Sequence, residues 1–407
     1  MKIKSFKDNR GEMKFIQNID NKNKHQTFIS INHKNVIRGI HTSPYSKLIT
    51  VLSGSIIDYV INFEDSSIYS KRTMYENDVL EIPANCGHLF ISLEDNTSVL
   101  YQLNGEYNEK FEKNYNYRCP YINLDIDNTI EYIVSEKDKI SGFKRPVDYI
   151  LLGSSGFLGS YTYEYFTNIN KNIISISTRL DDHNSLYENF KFYKPKYVIC
   201  AAGISGKPSI KWCEESEDNK HLTYMTNYVS IINLAKICKD LFIHLTIYGS
   251  GLIYSGNKVY NETDKPNKKD MYYSRLRIQL ENDLNFSNVL YLRMLYPIVC
   301  NNNPKCLLSK LENFRKVNDI KVNVTILPSL MPLMVNMIDK NIDGIFNFVN
   351  HGLISLVDIL DIYDSDLEYI VVKSDNDNAP ELDVTKLKKL NDNIDINVFN
   401  CLKALML

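Results

Sequence analysis

Tyr273 and Arg277 stand four positions apart in the segment MYYSRLR, residues 271–277. On a helix that spacing puts both side chains on one face, a phenol beside a cation. A fixed positive charge favours the phenolate form, so the pair suits proton exchange with an oxygen whose charge changes during a reaction. A carbonyl becoming an alkoxide is such an oxygen, provided that something delivers hydride to its carbon.

The segment VDYILLGSSGFLGSYTYEYF supplies a place for a hydride carrier. An apolar strand runs directly into Gly153, Gly156 and Gly159, and an amphipathic helix follows. The first glycine permits a tight turn, the second lets backbone N–H groups approach a pyrophosphate, and the third lets the helix pack on the strand. Ser155, Phe157 and Leu158 share this turn and are read with it as cofactor contacts. The next strand, NIISIS, runs into Thr178 and Arg179. An acidic residue there would hold the ribose hydroxyls of NAD, whereas Arg179 pairs with the 2′-phosphate of NADP, so NADPH is expected. Asp181 and Asp182 follow closely, which keeps an NAD reading and a solvated loop arginine open. A further strand, YVIC, ends in Ala201-Ala202-Gly203, small enough to leave a cofactor unobstructed.

The elements that hold these groups change character once. From about Phe6 to Leu124, short β-branched and aromatic runs alternate with turn residues, the pattern of an antiparallel barrel or sandwich. After EYIVSEKDKISGFKRP the pattern becomes strand, glycine turn, helix, strand, which means a parallel sheet covered by helices. The expectation is an all-β domain over 1–130, a linker over 131–146 and an α/β Rossmann domain over 147–407, in keeping with a chain of 407 residues. A formal net charge of -2 without a basic stripe argues against nucleic acid as a partner. Eight cysteines without a CxxC pair, and an N-terminus without an apolar core, suggest a cytoplasmic protein with reduced thiols. No apolar run approaches the ~20 residues a membrane helix needs.

The segments GSSGFLG, RLDD, AAGISGKPSIKWCE, TNYVSIINLA, YSRLR, LRMLYPI, IFNFVNHGLISLVDIL and APELDVTKL together resemble the extended short-chain dehydrogenase/reductases. Within that group they resemble the dTDP-4-dehydrorhamnose reductases and plant-type UDP-4-keto-rhamnose 3,5-epimerase/4-reductases. The resemblance implies that Tyr273 gives a proton to the C4 oxygen of a sugar while NADPH gives hydride to C4, with Ser250 hydrogen-bonding the same oxygen. Arg277 stands where this family has Lys, which also grips the nicotinamide ribose. Arginine keeps the charge, but it is longer, planar and never deprotonated. Plant-type relatives carry out both steps without a barrel, using a Cys and a Lys whose counterparts here are Cys213 and Lys207.

The segments NVIRGIHTSPYSKLITVLSGSIIDYVINFEDSS, LEIPANCGHLF and SVLYQLNGEY resemble the dTDP-4-dehydrorhamnose 3,5-epimerases, which are cupin-type barrels. The resemblance implies that His41 removes the proton beside the ketone and that Tyr101 is the acid on the opposite face. Arg38, Lys47, His88 and Tyr107 then bind substrate or stabilise the enolate. An enolate does need a base on one face, a cation for its oxygen and a donor on the other. A metal is not expected, since the strand carrying His41 lacks an HxH pair and a Glu ligand, although metal-binding and purely structural histidines remain alternatives. Two positions depart from the pattern. The Asp of a DP pair that partners the catalytic His is expected at position 119, where Cys119 precedes Pro120, and Phe15 stands where a Glu is usual.

Taken together, the residues point to a bifunctional epimerase at C3 and/or C5 and NADPH-dependent 4-reductase. Its substrate would be a UDP- or dTDP-linked 4-keto-6-deoxyhexose on the way to L-rhamnose or a related 6-deoxy or 2-acetamido sugar nucleotide, and family analogy implies a homodimer. A reductase with a structural barrel, and an NADP-binding regulatory pseudo-enzyme, are the competing readings.

Overall fold

The computed structural model describes residues 3–16, 26–63, 67–105, 111–122, 124–127, 129–143, 145–206, 209–299, 303–311, 315–363, 368–390 and 394–406. The chain divides into two compact units, Met1–Pro146 and Val147–Leu407.

The alternating runs of the first unit become strands β1 (Ile3–Asp8), β2 (Gly11–Ile16), β3 (Gln26–Asn32), β4 (Ile37–Thr42), β5 (Lys47–Ser53), β6 (Ile56–Ile61), β7 (Ile68–Met74), β8 (Val79–Ile82), β9 (Gly87–Ser92), β10 (Thr97–Leu103) and β11 (Lys113–Asn114). They form two antiparallel sheets, ordered β1-β2-β3-β10-β5-β8 and β11-β4-β9-β6-β7. Period-two patterning decides which residues face inward. Along β10, Val99, Tyr101 and Leu103 are buried while Gln102 is exposed. Ile49, Val51, Val99 and Tyr101 of one sheet meet Ile56, Val60 and Phe90 of the other in a shared core.

One break in that period positions chemistry. The β4–β9 ladder pairs Arg38 with Phe90 and then His41 with His88, so Gly39 and Ile40 together oppose Leu89. The extra residue inverts the phase of β4. Arg38 and His41, three positions apart, belong on opposite faces of a regular strand, yet here they fall into step with Phe90 and His88, which share a face. Gly39 makes the bulge, with φ +132°, and a Cβ at this position would lie 2.4 Å from the His88 carbonyl oxygen. No other residue fits without moving the backbone.

Residues 131–146 are not a linker. Ile133 bridges Val36, its N–H donates to Asn35 O at 2.9 Å, and its carbonyl accepts from Ile37 N at 3.0 Å. Val134 is buried with Ile37, Ile40 and Tyr59. Helix α1 (Glu136–Ile140) then begins at Ser135, whose Oγ accepts the Asp138 N–H at 3.0 Å. The charged run SEKDK suggested a solvated connector, but the apolar Ile133-Val134 pair before it anchors the segment to the barrel.

In the second unit the order is β12 (Tyr149–Leu152), α2 (Phe157–Asn168), β13 (Ile173–Ile176), α3 (His183–Tyr193), β14 (Tyr197–Cys200), α4 (Glu217–Tyr224), α5 (Ser230–Asp240), β15 (His244–Ser250), β16 (Val259–Tyr260), α6 (Tyr272–Asp283) and β17 (Val289–Met294). The parallel sheet runs β13-β12-β14-β15-β17 and ends with the strand Gly344–Asn347. Its strands β12 and β17 are buried throughout, as expected when helices cover both faces. Strand order reverses at β12, so the crevice beyond the carboxyl end of β12 is where a doubly wound sheet takes a ligand. No helix among the described residues is long and apolar enough to cross a membrane.

Gly39→Ala is expected to lower the stability of the first unit by about 2 kcal/mol, through strain and the clash with β9. Denaturant unfolding followed by tyrosine fluorescence checks this; wild-type stability would mean that the bulge is not fixed by Gly39.

Candidate active sites

The sharpest constellation in the first unit is built on a buried carboxylate. Asp138 is 1% exposed, and its Oδ1 lies 2.8 Å from His41 Nε2. Burial raises the Asp138 carboxyl, but the hydrogen bond and charge of His41, the Ser135 hydroxyl and Arg10 outweigh it and hold the group below its ordinary range. An ionised carboxylate only accepts, so His41 Nε2 carries the proton and Nδ1 keeps the lone pair of a base. The carboxylate expected from position 119 therefore comes from Asp138. Cys119 instead sits in an apolar cluster with Ile37, Ile40 and Ile122. The carboxylate missing from the DP position is thus supplied 97 residues from His41 in sequence, by a helix.

Around this dyad the strands deliver the other expected groups. Arg38 is buried, and its Nε donates to Asn32 Oδ1 at 2.6 Å. Burial pushes the Tyr101 phenol up to about 12, with Arg38 opposing, so Tyr101 holds its proton at neutral pH. Its ring stacks on Phe28 at 4.5 Å. His88, across the ladder from His41, bonds Asp58 Oδ2 at 2.6 Å. Lys47 is held 3.7 Å from Glu112, which also accepts from Tyr45 Oη at 2.6 Å. Burial lowers the Lys47 ammonium, and Glu112 opposes that. Tyr107 lies outside the described residues. Among those described, no group of three His, Cys, Asp or Glu side chains is placed to hold a metal.

In the second unit the glycine turn has the shape that a dinucleotide requires. A Cβ on Gly153 would lie 2.6 Å from Ala202 N, and one on Gly159 would lie 2.1 Å from Gly153 O. Gly156 caps α2 without a side-chain hydrogen bond, so the first N–H groups of the helix remain for an anion. Phe157 is buried, Leu158 half-buried and Ser155 exposed at the tip. Ala201, Ala202 and Gly203 follow β14, and Ala202 lies against this turn. Asn227, in a π-helical turn (Met225–Val229), clamps the loop by accepting Ile204 N–H at 2.8 Å and donating to Ile204 O at 2.7 Å. Arg179 is exposed and forks onto Asp181 at 3.0 and 3.1 Å, while Asp182 caps α3 through Ser185 N–H. Both acids that could hold an NAD ribose are thus engaged, and a surface ion pair like Arg179–Asp181 yields readily to a phosphate.

Helix α6 brings the phenol and its cation together as their spacing predicts, with the Arg277 guanidinium 5.1 Å from the Tyr273 ring centroid. Arg277 is buried, which opposes its charge, yet Tyr273 and Tyr291 more than offset this and hold the cation above its ordinary range. Its Nε is buried with no partner among the described residues, and Nη2 faces Gly203, 3.5 Å from where a Cβ would be. Ser250 ends β15, and its Oγ accepts Leu252 N–H at 3.2 Å, leaving the hydroxyl proton to donate elsewhere. One turn beyond Arg277, Glu281 forks onto buried Arg293 of β17 at 3.1 and 2.6 Å, fixing α6 to the sheet. Cys213 is fully buried, which raises its thiol, and it lies within the electrostatic range of Arg277. Lys207 lies outside the described residues.

Sequence reasoning missed Asp138, Asn227, Glu281 and Arg293. The Ser135-x-x-Asp138 spacing marks a helix start, but nothing local shows what that helix faces.

Comparison with known proteins follows the same division. Residues 1–143 match the dTDP-4-dehydrorhamnose 3,5-epimerase family, and residues 149–301 match the NAD dependent epimerase/dehydratase family. A bifunctional dTDP-4-dehydrorhamnose 3,5-epimerase/dTDP-4-dehydrorhamnose reductase of Arabidopsis thaliana is 31% identical over 266 residues, which cover 59% of this chain and 86% of that protein. A trifunctional UDP-glucose 4,6-dehydratase/UDP-4-keto-6-deoxy-D-glucose 3,5-epimerase/UDP-4-keto-L-rhamnose-reductase of the same plant is also 31% identical, but the match covers 60% of this chain and 38% of that protein. The chain thus spans less than half the length of that relative. Among solved structures, a UDP-rhamnose synthase from Acanthamoeba polyphaga mimivirus shares the fold of 64% of this chain and 99% of its own, with a TM-score of 0.60 at 24% identity.

Glu281→Ala strands the Arg293 guanidinium in the interior and is expected to cost about 3 kcal/mol, seen as a lower thermal midpoint of the second unit. Replacing both residues with Leu and Met should recover most of the loss. A neutral single variant would show that the ion pair does not hold α6 in place.

Proposed function

Since the chain belongs to the family of bifunctional dTDP-4-dehydrorhamnose 3,5-epimerase/dTDP-4-dehydrorhamnose reductases, we propose that it epimerises and then reduces a UDP- or dTDP-linked 4-keto-6-deoxyhexose. The barrel carries the first step and the Rossmann unit the second. The observation that carries this reading is the His41–Asp138 dyad, since it keeps the base machinery of the barrel intact despite Cys119.

In the barrel, His41 Nδ1 takes the proton beside the ketone, and Asp138 stabilises the imidazolium that results. The neutral phenol of Tyr101 returns a proton from the other face. Arg38, His88 and Lys47 supply positive or donor groups for the enolate oxygen and the nucleotide. In the second unit, the turn at Gly153, Gly156 and Gly159 and the α2 N-terminus hold the pyrophosphate of NADPH, and Arg179 holds its 2′-phosphate. When bound, NADPH supplies hydride to C4 of the sugar. Tyr273 then gives its proton to the C4 oxygen, Ser250 donates a hydrogen bond to the same atom, and buried Arg277 stabilises the phenolate left behind. A homodimer, as the resemblance implies, and a cytoplasmic location, as the scattered cysteines suggest, complete the proposal.

Cys213 favours a second reading, in which the Rossmann unit also epimerises. Burial keeps its thiol protonated, so it would act as an acid near Arg277 rather than as a nucleophile.

The test supplies enzymatically made UDP-4-keto-6-deoxyglucose and NADPH in deuterated water. The wild type is expected to oxidise NADPH and to place deuterium at C3, C5 or both. Tyr273→Phe should abolish oxidation while leaving deuterium uptake in the keto sugar. A protein that binds NADPH yet shows neither signal would overturn the proposal. Arg179→Ala should raise KM for NADPH by about ten-fold or more, the loss of a charge-assisted phosphate contact, and leave KM for NADH nearly unchanged. Equal effects on both coenzymes would remove Arg179 from the 2′-phosphate site.

A further inference from the structure

Asp138 has a second partner that the epimerisation chemistry does not require. Arg10, in the turn between β1 and β2, places Nη1 3.3 Å from Asp138 Oδ2, while the other oxygen of that carboxylate is 2.8 Å from His41. The same guanidinium reaches Asp8 through Nη2 at 2.7 Å and through Nε at 3.1 Å. Asp138 is therefore shared between an imidazole and a cation. The arrangement is fixed from both sides, by Ser135 capping α1 and by Asp8 holding Arg10 in the hairpin.

We propose that Arg10 is a positioning residue that acts on His41 through Asp138. By gripping Oδ2 it keeps Oδ1 aimed at the imidazole, and by drawing charge from the carboxylate it weakens the pull of Asp138 on the imidazole proton. A base held too tightly by its carboxylate stays protonated and cannot accept a substrate proton; a base without the carboxylate is poorly oriented. Arg10 sets the balance between these two limits. It also lines a cleft of about 300 Å³ with Lys7, Asp8, Phe6, Phe15 and Arg38, so the tuning cation faces an open space instead of packed core.

Other charges near the dyad do not duplicate this role. Arg38, on β4 itself, adds its charge to the surroundings of Asp138 but spends its Nε on Asn32, and no hydrogen bond joins it to that carboxylate among the described residues. His88, across the ladder on β9, is paired to Asp58 of β6. Lys113 of β11 pairs in register with Thr42 and is exposed. On α1, Lys139 pairs with Glu136 at 2.8 Å, and Lys137 is exposed. Tyr101 of β10 carries its proton at neutral pH, as its burial dictates. Among the described groups, Arg10 is the cation bonded to the carboxylate that His41 uses.

This inference rests on reading His41 as the base of the barrel, and the experiment separates the two. The full-length protein, carrying isotope-labelled histidine, is titrated by NMR, with His41→Asn used to assign the His41 signal. Arg10→Gln is expected to raise the pH midpoint of His41 by about half a unit or more, because a cation is lost from its surroundings. Arg10→Lys should remain near wild type, and Asp8→Asn, which leaves Arg10 wholly to Asp138, should lower the midpoint. The acid limb of the deuterium-uptake profile should move in the same directions. An unchanged midpoint in Arg10→Gln, or equal changes in the Gln and Lys variants, overturns the inference. Absence of deuterium uptake in every variant would overturn the epimerase reading, while the midpoints would still decide the role of Arg10.

Discussion

A carboxylate with almost no exposure to water governs the first unit. Taking an ionised group out of solvent costs several kcal/mol unless partners replace the lost hydration. Asp138 has three kinds of partner: an imidazole, a guanidinium and a helix-capping serine. Much else follows from satisfying it. Residues 131–146 must pack against the barrel to deliver the carboxylate, the bulge at Gly39 must turn His41 to meet it, and the β1–β2 hairpin must present Arg10. The dyad is the point at which three distant parts of the chain agree.

The second unit solves the mirror-image problem, since its central charge is a buried cation. Arg277 has the Tyr273 ring against its guanidinium, Tyr291 within electrostatic range and an Nε without a partner among the described residues, an arrangement that leaves the guanidinium available to a phenolate or a ligand. One helical turn on, Glu281 forks onto Arg293 of β17, and the difference matters. Glu281–Arg293 anchors α6, whereas Arg277 is held in place by that anchoring and keeps its charge for chemistry. Replacing Lys by Arg in this setting preserves the positive charge and gives up the ability to pass a proton, so any proton that Tyr273 recovers must come by another route.

What could be read from the chain alone follows a physical rule: local constraints were legible and distant ones were not. The glycine turn was legible from its spacing between a strand and a helix, and the structure shows close approaches there, of a Cβ on Gly153 to Ala202 and of one on Gly159 to Gly153 O. Tyr273 and Arg277 obey helical spacing. The two-unit division followed from the change of hydrophobic period. Asp138 escaped because its partner is 97 residues away, and its charged neighbours disguised a docked helix as a linker. The bulge escaped for another reason, since a period-two reading assumes an unbroken ladder and would have placed Arg38 and His41 on opposite faces. Lys207 and Tyr107 lie outside the described residues.

The claim on which the account turns is that Asp138, and not position 119, completes the base of the barrel. Deuterium uptake at C3 and C5 of the keto sugar, measured in Asp138→Asn and in Cys119→Asp with NADPH oxidation followed alongside, tests it most directly. The account predicts that Asp138→Asn loses uptake by about a hundred-fold or more, while hydride transfer to an already epimerised ketone is unchanged and Cys119→Asp gains nothing. Uptake at the wild-type rate in Asp138→Asn would contradict it and move epimerisation to the second unit.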